Sequence, residues 1–263
     1  MLRRPREPTR IRSVRSMRGS LRRGRHRGGG ATEQVQISRN VSRTRVASLN
    51  VGTLTGRSCE LVEALERKRI DLCAVQETRW SYSKSWDIGR GFKVILCVSP
   101  RTTSGVGVQT SLLLLNAPQT GCSERAKDEF RTLLDEKTAE VPSEDAVVVA
   151  GDLKRHVGTA KDSYSCHGGF GYGARNADGE RILEYADFYN LTIANTMFRK
   201  RDSHLVSFYS GNTKTQIDFI LVKHRDRRLV TDAKVVPYET VATQHRPLIC
   251  TLKIAPPRLR QVE

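Results

Sequence analysis

From about Arg43 to Ile254 the chain reads as short apolar runs ending on polar residues, alternating with stretches whose apolar positions recur at helical spacing. Val46, Ala47, Ser48 and Leu49 predict a short strand that ends at Asn50. Ser58 is placed to cap a helix carrying Leu61, Val62 and Leu65 on one face, and the helical pattern runs out near Arg69. Ile70 to Val75 predicts a second, buried strand that delivers Gln76, Glu77 and Thr78 at its C-terminal end. A β-α-β unit of this kind sets Asn50 and Glu77 at neighbouring strand ends, where open α/β sheets commonly build their sites. Ser123 opens an amphipathic helix bearing Phe130, Leu133 and Leu134, and Val147 to Ala150 predict a strand that stops at Gly151 and Asp152. A helix near Arg181 to Tyr189 precedes a strand at Leu191 to Ala194. Strands at Gln216 to Val222, Ala233 to Val236 and Leu248 to Leu252 close the domain, and the tail after Ala255 reads as a frayed end.

Charge changes this picture at the N-terminus. The net charge is +17, and eleven arginines against the single acid Glu7 place +10 of it between Met1 and Gly30. Residues 1–42 combine these arginines with Pro5, Pro8 and a glycine run, show neither helical nor strand periodicity, and are expected to be disordered. The segment reads either as a basic arm that attracts nucleic acid or as a solvated tail, and the lack of interleaved aromatics favours the tail. No apolar run is long enough to span a bilayer, and no hydrophobic segment follows the first arginines, so an intracellular, nuclear rather than cytoplasmic, protein is expected. The six cysteines form no C-x-x-C pair and read as free thiols.

Polar residues recur at the strand ends: Asn50, Glu77, Asp152, then Asp218 with His245. Phosphodiester hydrolysis needs a cation to offset phosphoryl charge, a positioned water and a group that holds or moves a proton. A carboxylate with an amide oxygen, as in Glu77 and Asn50, suits a hard ion such as Mg²⁺, with Mn²⁺ as a substitute. Asp218 is assigned to orient His245, and Asp152 to polarise the attacking water. Taken singly, each has a blander reading: Gly151-Asp152 as a turn, His245 as a core or surface residue.

The order of these pieces resembles the endonuclease/exonuclease/phosphatase superfamily, which includes deoxyribonuclease-I-like and apurinic-site nucleases. The matching pieces are Ser48-Leu49-Asn50, the run from Val75 to Trp80, Gly151-Asp152-Leu153, Gln216 to Leu221, and Gln244 to Leu248. The chain is closer still to endonuclease domains of non-LTR retrotransposons and to craniofacial development protein 2-like host proteins. Ala117 to Cys122, His156-Val157-Gly158, Gly168 to Gly173 and Ile193 to Thr196 carry that likeness. The resemblance implies an α/β (α+β) fold, a two-sheet β-sandwich flanked by helices over residues 43–254, and a site that nicks DNA. It implies Glu77 as principal metal ligand with Asn50 beside it, Asp152 acting on the nucleophilic water, and the Asp218–His245 dyad at the scissile phosphate. Asn176 and Phe208 fall near positions that meet substrate, and Lys154 can contact phosphate.

The chain also departs from that pattern. Gln244 stands where many members have an aspartate, and Lys154 replaces the asparagine that follows Gly-Asp-Leu. An ammonium beside Asp152 is expected to pair with the carboxylate and weaken it as a base. Asn116 occupies the place of a tyrosine, and between Gly105-Val106-Gly107-Val108 and Asn116 the relatives insert further strands, so one sheet is expected to be incomplete. The expected function is a Mg²⁺-dependent DNA endonuclease-like domain of retrotransposon origin with reduced or lost activity. A non-catalytic nucleic-acid-binding remnant and a phosphatase on a small or lipid phosphoester are the alternatives.

Overall fold

The computed structural model describes residues 13–16, 42–79, 86–90, 92–95, 110–116, 123–143, 145–236 and 241–254. In chain order the strands are β1 (Ser13–Ser16), β2 (Ser42–Asn50), β3 (Leu72–Gln76), β4 (Trp86–Gly89), β5 (Phe92–Ile95), β6 (Thr110–Asn116) and β7 (Ala146–Asp152). They continue with β8 (Leu191–Ile193), β9 (Phe208–Ser210), β10 (Thr213–Thr215), β11 (Asp218–Lys223), β12 (Val230–Val235) and β13 (Leu248–Ile254). The helices are α1 (Ser58–Arg67), α2 (Glu124–Ala139) and α3 (Ala177–Phe188).

Two open sheets result, in the orders β12-β13-β2-β3-β1-β5-β4 and β6-β7-β11-β8, with β9 and β10 forming a separate hairpin. The apolar runs that could not alternate with polar residues are those buried on both faces. In β7, Val148 and Ala150 face a core shared by the two sheets, whereas Val147 and Val149 face a second core with α2 and α3. In β11, Ile220 and Val222 point inward while Phe219 and Leu221 meet the helical side. Val46, Ala74, Leu248 and Cys250 supply the first sheet's share of the inner core, and Ala47, Leu49, Cys73, Val75 and Ile249 pack towards α1. The architecture is therefore a two-sheet sandwich with helices on its outer faces, as expected, and both sheets are open.

Three local expectations are corrected. The disorder assigned to residues 1–42 fails at Ser13–Ser16, which pair antiparallel with both β3 and β5, Val14 opposite Cys73 on one side and Val94 on the other. The physical reason lies in the neighbours: main-chain N–H and C=O groups of β3 and β5 need partners, and a short extended segment supplies them whatever its own propensity. Ser58 is the first residue of α1 and not its cap; Arg57 occupies that place with no side-chain capping bond. The third helix starts at Ala177, earlier than its apolar spacing suggests, because the Asn176 side chain accepts a hydrogen bond from Gly179 N at 2.7 Å. The glycine-rich run after His167 also has a packing reason, since a Cβ on Gly171 would lie 1.9 Å from the Gly158 carbonyl oxygen. The segments 96–109 and 117–122, which hold the junction where one sheet is expected to be incomplete and one piece of the retrotransposon likeness, lie outside the described residues.

Candidate active site

Strand register brings the chemistry to one edge. β2 and β3 run parallel with Asn50 opposite Gln76, so Asn50 and Glu77 emerge side by side. Asp218 opens β11 directly opposite Asp152 at the end of the antiparallel β7. Leu248 at the start of β13 pairs with Ser48, which holds the preceding His245 over the same edge, and Phe208 bridges to His245 from β9. A cavity of about 500 Å³ opens there, lined by Asn50, Glu77, Asp152, Lys154, Phe208 and His245. Asp218 lies beneath it, 1% exposed.

The side chains form a row of alternating charge. Lys154 Nζ lies 2.8 Å from Glu77 Oε1 and 3.6 Å from Asp152 Oδ2. On the other side of Asp152, His245 Nε2 is 3.8 Å from Oδ2, and His245 Nδ1 is 3.0 Å from Asp218 Oδ2. Asn50 Nδ2 donates to Asp152 Oδ2 at 3.0 Å, while its Oδ1 accepts from Gly52 N at 3.0 Å. Burial and the nearby Asp218 charge push the Asp152 carboxyl up, against the opposing pull of His245 and Lys154. Burial acts to raise Glu77 as well, but its hydrogen bond and charge pairing with Lys154 win and hold it below the usual carboxylate range. Burial alone would lower Lys154 and His245, yet the carboxylates around each reverse the sign and raise both.

Two of these residues sit on strained backbone. Glu77 and Lys154 have φ of 54° and 51°, the left-handed region that disfavours long side chains. The Lys154 N–H donates to Asp152 Oδ1 at 3.1 Å, so the turn that strains the lysine also fixes its neighbour.

Of the residues expected from sequence, Asn50, Glu77, Asp152, Lys154, Phe208 and His245 meet at this cavity with Asp218 below. Asn176 does not line it: its side-chain oxygen is committed to Gly179 N and His156 N. Phe208 stands edge-to-face with His245, ring centroids 4.9 Å apart. Sequence reading passed over Thr213, Thr215 and Thr243 and gave His156 no role beyond the retrotransposon likeness, yet all four also line the cavity. It gave no role to Ser207, whose hydroxyl accepts from Ile217 N and Asp218 N at 3.2 and 3.1 Å. Nor did it assign one to Asn195, which donates to the Asp218 carbonyl and accepts from Ile220 N. Single hydroxyl and amide residues inside otherwise apolar stretches leave no periodic signal.

The fit of a divalent ion is poor. The Glu77 oxygen that would bind it holds an ammonium, and the Asn50 oxygen is occupied by a backbone donor. Among the described residues no group of three or more His, Cys, Asp and Glu is arranged to hold a metal.

Solved structures that superpose on this chain show its fold. A superposition on an AP endonuclease from Leishmania major gives a TM-score of 0.53, covering 80% of this chain and 88% of that one at 14% identity. The endonuclease domain of TRAS1, a telomere-specific non-LTR retrotransposon, matches at 0.50 over 83% of this chain and 100% of its own, at 12% identity. An AP endonuclease from Archaeoglobus fulgidus matches at 0.53, covering 80% of this chain and 100% of that one at 14% identity. The chain carries the endonuclease/exonuclease/phosphatase-like fold. In sequence, craniofacial development protein 2 of Tragulus javanicus is 32% identical over 115 residues, 43% of this chain, and that of Bos taurus is 30% identical over the same length. The chain spans only 20% and 19% of those relatives' own lengths. No protein-family model matches it. Among the described residues no helix is long and apolar enough to cross a membrane.

Proposed function

We propose that this chain is a DNA-directed phosphodiesterase domain of the endonuclease type, of retrotransposon origin, that grips the phosphate backbone and has reduced or lost nicking activity. The observation that carries the reading is the convergence of Asn50, Glu77, Asp152, Asp218 and His245, far apart in sequence, on one cavity edge. The fold neighbours are endonucleases, one of them from a retrotransposon, and that origin supports DNA as the substrate class. In this reading Asp218 orients the His245 ring and favours its protonated form, in which Nε2 would offer a proton to a phosphoryl oxygen. Asp152 is the group to accept a proton from water, and burial with the Asp218 charge raises its carboxyl against the pull of Lys154 and His245 on either side. Phe208 is placed to meet a sugar or base beside the phosphate.

Mg²⁺, or Mn²⁺ in its stead, is the cofactor this reading requires for full activity, and the residues as arranged do not hold it. Slow or absent hydrolysis therefore belongs to the proposal. A supercoiled-plasmid nicking assay tests it, with and without Mg²⁺, on the wild type and on Lys154→Asn combined with Asn116→Tyr. Nicking gained by the double variant and removed by His245→Ala is expected. No nicking in any form, with DNA binding retained, would leave the non-catalytic nucleic-acid-binding reading, which the Lys154 ammonium inside the site favours.

A further inference from the structure

We infer that Lys154 is the resident cation of this site: its ammonium stands between Glu77 and Asp152 in place of a hydrated divalent ion, and the site engages phosphate without metal. The inference deepens the proposed function and rests on its reading of the cavity as a phosphodiester site. Two independent features carry it. The first is geometry: one ammonium contacts Glu77 at 2.8 Å and approaches Asp152 to 3.6 Å, with only 13% of the lysine side chain exposed. A compact, monovalent charge so placed offsets part of the charge of the carboxylates that would otherwise bind a divalent ion, and any ion entering would have to expel it. The second is backbone: Lys154 holds φ of 51°, a conformation asparagine tolerates better than lysine, so the local turn does not select the lysine. What selects its position is the pair of carboxylates.

An ammonium has three donors and no acceptor. Glu77 takes one, and because Lys154 lines the cavity, another is available to a phosphate oxygen entering it. A hydrated Mg²⁺ would present waters there, one of which could become the nucleophile. Lysine supplies charge but no water, which accounts for a site built to bind the phosphodiester and poorly equipped to cut it.

The test reads metal uptake directly on the full-length chain. Thermal unfolding is followed across millimolar Mg²⁺, and Mn²⁺ binding by electron paramagnetic resonance, for wild type, Lys154→Asn, Lys154→Met and Lys154→Asn with Glu77→Gln. The wild type is expected to show no Mg²⁺-dependent shift. Lys154→Asn, which suits the left-handed turn, should gain a saturable rise in Tm and bind Mn²⁺ at least about tenfold tighter, since a neighbouring positive charge is gone. Adding Glu77→Gln should abolish that gain. Lys154→Met, similar in length but uncharged, should behave as Lys154→Asn does, which separates loss of charge from the turn. Wild type that binds Mn²⁺ as tightly as Lys154→Asn overturns the inference, as does a folded Lys154→Asn and Lys154→Met pair that binds none. Nicking assayed on the same samples keeps the two claims apart. A Lys154→Asn protein, with Asn116→Tyr added, that takes up metal without cutting DNA sustains this inference and defeats the nuclease reading. Wild type that nicks only with Mg²⁺ does the reverse.

Discussion

At the residue scale, Ser207 shows how much of the site depends on groups that never touch substrate. Its buried hydroxyl accepts from Ile217 N and Asp218 N, which fixes where β11 begins and so where the Asp218 carboxylate sits beneath His245. Ser207→Ala leaves two buried donors without that acceptor, and a loss of about 1–3 kcal/mol is expected from urea unfolding. A change near zero would mean that the start of β11 is set by the ladder alone. The Asp218–His245 pair gives a second prediction, in pH. Asp218, Asp152 and Glu77 all face the ring, and together they raise His245 against the effect of burial. A histidine whose folded-state pKa lies above its unfolded value stabilises the fold fully below about pH 6.5, and that contribution disappears as pH rises through the folded value. Asp152, pushed up by burial and by Asp218, acts with the same sign, because its neutral form suits the fold better than its charged one. Wild-type stability should therefore fall between mildly acidic and alkaline pH. His245→Ala should flatten the upper part of that slope; an unchanged slope in urea titrations at several pH values would show that the dyad does not set it.

At the scale of elements, the strands that sequence predicted are β2, β3, β7, β8, β11, β12 and β13, and the clearest apolar runs among them, in β7 and β11, are those buried on both faces. Because polar residues punctuate several of these strands, Asn50, Glu77, Asp152, Asp218 and His245 were legible with them. The strands that escaped notice, β1, β4, β5, β9 and β10, are three or four residues long and owe their form to partners rather than to composition. Lys154 was legible as a departure but its contact with Glu77 was not, since nothing in spacing reveals a pairing across 77 positions. β1 is the instructive case: Ser-Val-Arg-Ser in an arginine-rich stretch carries no strand signal, yet it lies between two strands that lack other neighbours on those sides. Proline at Val14 removes a donor from the interior of that sheet, a position proline does not occupy in stable sheets. Val14→Pro should cost about 1–3 kcal/mol in chemical unfolding. An Arg-to-Gln change at Arg15, which keeps the backbone donor, should cost far less. Equal, negligible effects would show that β1 is not part of the cooperative fold.

For the whole molecule, the question is what the +17 charge does, because it is unevenly placed: +10 lies in the first thirty residues and the remainder is spread over the rest of the chain. If the site engages phosphate through Lys154 and His245 alone, it contributes a fixed, short-range attraction at one phosphate. Any stronger grip on DNA must then come from arginines acting along the backbone, and such contacts reveal themselves by counterion release. Truncation is a poor test, since removing Met1 to Gly30 removes β1 along with the charge. Replacing Arg3, Arg4, Arg6, Arg10, Arg22, Arg23, Arg25 and Arg27 with glutamine spares β1 and isolates the electrostatic effect. The logarithm of DNA affinity against the logarithm of salt concentration should lose roughly 0.9 of slope for every one of these arginines that meets a phosphate. Lys154→Met should instead lower affinity at all salt concentrations with a slope change of about one or less, as befits a single buried contact. A substituted arm that leaves the slope untouched would make the N-terminal charge irrelevant to DNA, and the cavity edge would have to account for all of the binding. A slope that collapses while Lys154→Met has no effect would assign the grip to the arm and leave the cavity as an unused remnant.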